Sequence, residues 1–210
     1  MSWTMRVVVL ATALLAVTAT SASAVTWINS GDTAFTATGG GTPITVTGSN
    51  ISCSASSSTG TVAASPFTGS VWPAATITTT YTGCFFSVLY PGTIWECTRS
   101  FTAVTATAAV VDGVAHTTCD ILVTTGTGTN RVPVCHVSGS VVATYANPVA
   151  PSTPGRFTLP SSTLQTSDGP AGTCPIGSPE PVTMGHQALS ITAATGGPVP
   201  HLGPNLVRTA

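Results

Sequence analysis

Six cysteines, Cys53, Cys84, Cys97, Cys119, Cys135 and Cys174, are the residues of this chain whose type and spacing most plainly imply chemistry. No pair shows the C-x2-C spacing of a structural zinc site, and an even count in an exported chain reads as a disulfide framework. Proximity along the chain suggests Cys84–Cys97 and Cys119–Cys135, each within one hairpin. That leaves Cys53–Cys174 to tie the early strands to the late ones. Closing a loop of about 15 residues stabilises by roughly 3 kcal/mol in the chain-entropy model. A tight turn at Tyr90-Pro91-Gly92-Thr93 would set Cys84 opposite Arg99 instead, so the first bridge also requires a wider loop or a bulge at Gly83.

A second constellation surrounds the middle cysteines. In 114–124, Cys119, Ile121 and Val123 share one strand face while His116 and Asp120 share the other; in the next segment Cys135, Val137 and Val141 oppose His136 and Ser138. If Cys119 lies across from Cys135, His136 faces Thr118, with His116 and Asp120 as diagonal neighbours at Cβ separations of roughly 7–8 Å. Two imidazoles and a carboxylate are metal-ligand types. A solvated polar face explains the same alternation, so no metal or other cofactor is expected, with His116, Asp120 and His136 the only candidates.

Aromatic residues form the third group. Trp72, Tyr81, Tyr90 and Trp95 cluster around one hairpin, and planar aromatics exposed on a neutral β surface would suit a carbohydrate or small apolar ligand. The competing account is that they fill the core.

Other chemistries lack their residues. The chain has no Lys, which removes a Schiff base, a Ser-Lys dyad and a P-loop, and G-x-S-x-G and H-E-x-x-H are absent. The six acids are scattered, so a glycosidase pair would have to be assembled by folding. Only 5% of residues are charged, which excludes a nucleic-acid binder working through a basic surface.

The elements that must position these groups are strands. The chain has 210 residues, and 40 Thr and 22 Ser put a hydroxyl on 62 of them. Thr and Val favour strands, and strong helix formers are scarce. Thr76, Thr78, Thr80 and Thr82 alternate with Ile77 and Tyr81, the period of a half-buried strand. Further strands are expected at 44–47, 51–54, 101–111, 114–124, 132–145, 156–159 and 182–192, with Asp112-Gly113 as a hairpin turn. This pattern predicts an all-β fold, an antiparallel β-sandwich or barrel stapled by disulfides.

Three segments organise the chain. Residues 1–24 have the form of a signal peptide: Arg6, an apolar run from Val7 to Val17, and Ala22-Ser23-Ala24 as a cleavage site. Residues 25–195 read as a single all-β domain, and 196–210 as a flexible C-terminal tail. No later stretch is apolar long enough to span a bilayer as a helix. Asn50-Ile51-Ser52 is a glycosylation sequon, meaningful only in a host that glycosylates.

Ile51-Ser52-Cys53, Thr82-Gly83-Cys84, the spaced Cys119 and Cys135, Gly172-Thr173-Cys174 and the lack of Lys resemble uncharacterised small secreted β-rich, six-cysteine proteins of high-GC Gram-positive bacteria. The resemblance implies an extracytoplasmic β protein and assigns no activity or catalytic residue.

The expected function is that of a secreted, non-catalytic extracellular or cell-envelope structural or interaction protein. The alternative is a β module binding carbohydrate or a small apolar ligand. Cell-wall polysaccharide, or further copies of the same low-charge chain, are the partners such a surface suits.

Overall fold

Alternation of Thr and Ser with Val, Ile and aromatic residues produces strands throughout the computed structural model, which describes residues 25–40, 43–46, 49–84, 93–124, 131–149, 151–174 and 176–209. The expected signal segment, Tyr90 and its turn, and the loop at 126–130 lie outside the described residues. In chain order the strands are β1 (Thr26–Asn29), β2 (Ala34–Gly40), β3 (Pro43–Val46), β4 (Ser49–Ser52) and β5 (Ala55–Val62). There follow β6 (Phe67–Thr68), β7 (Trp72–Cys84), β8 (Thr93–Ala106), β9 (Val110–Thr124) and β10 (Arg131–Ala146). The last five are β11 (Arg156–Leu159), β12 (Ser162–Asp168), β13 (Pro181–Met184), β14 (Gln187–Thr195) and β15 (Leu206–Thr209). No helix among the described residues is long and apolar enough to cross a membrane.

Eight antiparallel strands, in the order β11-β14-β2-β5-β7-β8-β9-β10, close into a barrel through pairing of β10 with β11. The all-β expectation holds, and of its two forms the barrel is the one adopted. Closure is possible because β10 forks: Thr144–Ala146 pairs with β11, while Cys135–Ser138 pairs with β12. From β12 a side sheet continues through β13 and β3 to β4. At the opposite end β15, β1 and β6 form a three-stranded sheet.

Inward positions fill the barrel, as expected for eight strands. Phe101 and Phe157 meet edge to face at 5.2 Å, and Trp27 and Trp72 pack at 6.2 Å. Each fully buried Val, Leu or Phe side chain contributes roughly 1.5–3 kcal/mol. An interior void lined by Phe35, Ile77, Phe101, Tyr145 and Phe157 is about 10 Å³, room for at most one water.

Several expectations are corrected. The bridges are Cys53–Cys84, Cys97–Cys119 and Cys135–Cys174, in place of Cys84–Cys97, Cys119–Cys135 and Cys53–Cys174. The reason is register. β9 and β10 are slid by two residues from the expected pairing, so Val137 rather than Cys135 lies opposite Cys119. Cys119 instead stands directly across from Cys97 on its other neighbour, at a Cα separation of 4.0 Å.

The bulge at Gly83 does form: the β7–β8 register shifts between Tyr81 and Cys84, Gly83 has φ +63°, and Cys84 turns inward. It delivers Cys84 to Cys53, at the β4–β5 junction.

Asp112-Gly113 is no turn; both residues lie inside β9. The turn comes earlier, where the Thr107 hydroxyl accepts from Ala109 N and Val110 N. Gly113 serves close approach, since a Cβ there would sit 2.1 Å from the Thr102 carbonyl oxygen and 2.7 Å from the Phe101 ring. The expected 182–192 strand is two strands, β13 and β14. The expected tail is not loose over 196–209: β15 pairs with β1, and Gly203, Pro204 and Leu206 are buried.

Candidate functional site

Period-2 alternation in neighbouring strands stacks outward side chains into ranks across the barrel. The register places Thr36, Thr59, Thr78, Thr98, Thr118 and Ser138 side by side on β2, β5, β7, β8, β9 and β10, all six exposed. At β14 a bulge between Ile191 and Ala193 turns two consecutive residues outward, and Thr192 Oγ1 lies 3.3 Å from Thr36 Oγ1. Hydroxyls in a rank repeat at the strand spacing of about 4.8 Å, and successive ranks at roughly 6.7 Å.

Over β14, β2, β5 and β7 this surface is concave. A hollow of about 360 Å³ lies over Ala34, Thr59, Thr61 and Thr76, and a second of about 230 Å³ over Thr38, Ser57 and Thr80. They share Thr36, Thr59 and Thr78 along one trough, and among the described residues no ionisable side chain lines it.

The outer face of β8–β10 differs. One rank there reads Glu96, Asp120, His136 and Ser167 across β8, β9, β10 and β12. His136 Nδ1 is 2.5 Å from Asp120 Oδ1, both side chains being more than a third exposed. His116 stands opposite Ser140, and its Nδ1 lies 2.8 Å from that hydroxyl. The outward phase of His116, Asp120 and His136 is as expected. The neighbours are not: His136 faces Asp120 rather than Thr118. His116 and His136 each take a different strand partner, and among the described residues no three His, Cys, Asp or Glu side chains gather to hold a metal.

The aromatic ligand face is also corrected. Trp72, Tyr81 and Trp95 are fully buried, so they fill the interior and leave no stacking platform outside. Tyr90 lies outside the described residues.

Inside the barrel Tyr81 belongs to a polar cluster that sequence reasoning missed. Arg99, only 1% exposed, donates from Nη1 to Thr79 Oγ1 at 2.9 Å and from Nη2 to Tyr81 Oη at 2.8 Å and Gln187 Oε1 at 3.0 Å. The Tyr81 hydroxyl donates to the same Gln187 oxygen, and the Thr79 and Ser58 hydroxyls are 2.9 Å apart. Arg99 Nε, Trp95 Nε1, Thr117 Oγ1 and Ser56 Oγ have no partner among the described residues. A guanidinium held only by neutral groups is costly to bury. One signal could have found it: Arg99 shares its strand phase with Cys97 and Phe101, which face inward.

At the far end Asp32, 1% exposed, accepts from Gly203 N at 2.8 Å, and its Oδ1 lies 2.7 Å from His201 Nδ1. Nearby, the Tyr145 hydroxyl donates to the Pro204 carbonyl at 2.7 Å. Burial, and then the negative charge of Asp32, push the Tyr145 phenol well above the usual tyrosine range. Compared with known proteins, this chain matches no family model, no curated protein and no solved structure.

Proposed function

We propose that this protein is a secreted, non-catalytic interaction module that works outside the cytoplasm, in the medium or at the cell envelope. The observation that carries the reading is the unbroken hydroxyl rank from Thr36 to Ser138 across six adjacent strands. Such a face stays hydrated without charge and offers donors and acceptors to a partner at regular intervals. Three disulfides on a small barrel fit an oxidising, extracellular type of compartment.

The test is fractionation of cells expressing the full chain, followed by non-reducing peptide mapping. The expected product lacks residues 1–24, is recovered from medium or envelope, and carries the three bridges with no free thiol. Recovery from the cytoplasm with free thiols would overturn the reading. So would ester or glycoside hydrolysis by the purified protein that disappears in His136→Ala.

A further inference from the structure

We propose that the trough over β14, β2, β5 and β7 binds an uncharged polysaccharide chain. This inference rests on the extracellular interaction role above and names the ligand class of that same outer face.

The first argument is charge. Among the described residues, neither hollow is lined by a single Asp, Glu, Arg or His. An acidic glycan or a nucleic acid would bring negative groups to a surface with no cation to neutralise them, and phosphate recognition depends on Lys and Arg. The chain has no Lys at all.

The second argument is the kind of hydrogen bonding on offer. Thr36, Thr38, Thr59, Thr61, Thr76 and Thr78 are all exposed along the trough. Each hydroxyl both donates and accepts, and sugar hydroxyls have the same dual capacity, so either partner can orient to suit the other. A purely apolar ligand would instead take those hydroxyls out of water without replacing their hydrogen bonds. The threonine methyls between the hydroxyls supply small apolar contacts for the C–H faces of sugar rings.

The third argument is shape. The bulge in β14 turns both Thr192 and Ala193 outward against the hollows, and the small Ala34 lines the larger one. From β14 to β7 the trough crosses three strand spacings, roughly 14–15 Å, which suits a segment of a linear chain better than a single sugar. With Trp72, Tyr81 and Trp95 buried, the described lining of the trough offers no stacked aromatic platform. Binding draws on many weak contacts, so it favours long polymers through repeated engagement.

The test is electrophoresis of the disulfide-bonded mature protein through native gels containing dextran, yeast mannan or a soluble linear β-glucan, with alginate and hyaluronate as acidic counterparts. At least one neutral polymer should retard the protein, and neither acidic polymer should. Thr59→Val with Thr78→Val, which removes hydroxyls at nearly constant shape, should weaken the retardation at least threefold. Thr59→Lys with Thr78→Lys should abolish it. Val104→Lys with Val142→Lys, both exposed but outside the rank and the trough, should leave it unchanged. Equal melting temperatures among the variants establish that all are folded. Lack of retardation by every neutral polymer, equal retardation by the acidic ones, or indifference to the trough substitutions would each overturn the proposal. Those outcomes leave the fractionation and disulfide results standing, so the two readings fail separately.

Discussion

The two ends of the barrel are closed by different chemistry. Around the ends of β7–β10 nearest the side sheet, Cys53–Cys84, Cys97–Cys119 and Cys135–Cys174 tie strands and loop together covalently. At the other end the closure is polar and aromatic. Asp32 holds Gly203 and His201, Tyr145 holds Pro204, Asn147 makes paired bonds with Leu206 of 2.8 and 2.9 Å, and Trp27 packs against Trp72. The bridges close loops of 22 to 39 residues, each worth about 3–4 kcal/mol in the chain-entropy model. A single hydrogen bond contributes about 0.5–1.5 kcal/mol net, but breaking one so that a buried group is orphaned costs about 1–3 kcal/mol. The cysteine end should therefore respond to reductant, and the polar end to pH and point substitution.

The largest effect should come from the cysteine end. Cys97→Ala with Cys119→Ala should lower stability by about 2–5 kcal/mol, read as a fall in urea midpoint. A loss under 1 kcal/mol would mean that strand pairing alone holds this end.

Next is the polar end. Asp32→Ala leaves the buried Gly203 N–H without its acceptor and frees His201, and should cost about 2–3 kcal/mol. Hydrogen exchange should rise first in β15 and its partner β1, with β8 and β9 protected as before. Uniform loss of protection would show that the two ends are not separable.

Tyr145→Phe should cost less, about 1–2 kcal/mol, because one buried carbonyl is left unpaired. It also carries a pH signature. The folded phenol is raised above its unfolded value, so its contribution is intact below about pH 10. Above that pH the unfolded chain sheds the proton first, and stability falls as the pH climbs toward the folded value. Wild type should show this alkaline loss in denaturant midpoints, and the Phe variant should show less of it.

The smallest effect belongs to the outer face. His136→Ala should move stability by no more than about 0.5 kcal/mol, since the pair it breaks is solvent-exposed. A zinc-dependent rise in melting temperature that vanishes in His116→Ala and His136→Ala would contradict the exposed-pair account.

Much of the fold was legible locally. The outward phase of Thr76 and Thr78, the inward phase of Cys119, Val137 and Val141, and the bulge at Gly83 all follow from alternation and from what glycine permits. Gly113 misled because it has two physical uses: Asp-Gly is a turn signal, yet here the missing Cβ makes room for a neighbouring strand and Phe101. The candidate site was half legible. Each threonine's face could be read along its own strand, but the trough exists only because β14, far from β2, β5 and β7 in sequence, lies beside them. Arg99 and Gln187, 88 residues apart, meet for the same reason.

What the sequence determined by itself is the side of the sheet on which each residue stands, because alternate side chains point to opposite faces by covalent geometry. Only the tertiary structure decided who stands next to whom. From Cys135 onward, a two-residue slide of β10 along β9 leaves each residue on its own face, yet it replaces Cys135 with Val137 opposite Cys119 and brings His136 to Asp120. Local patterning is blind to such even-numbered shifts, whereas long-range packing, barrel closure and disulfide geometry distinguish them.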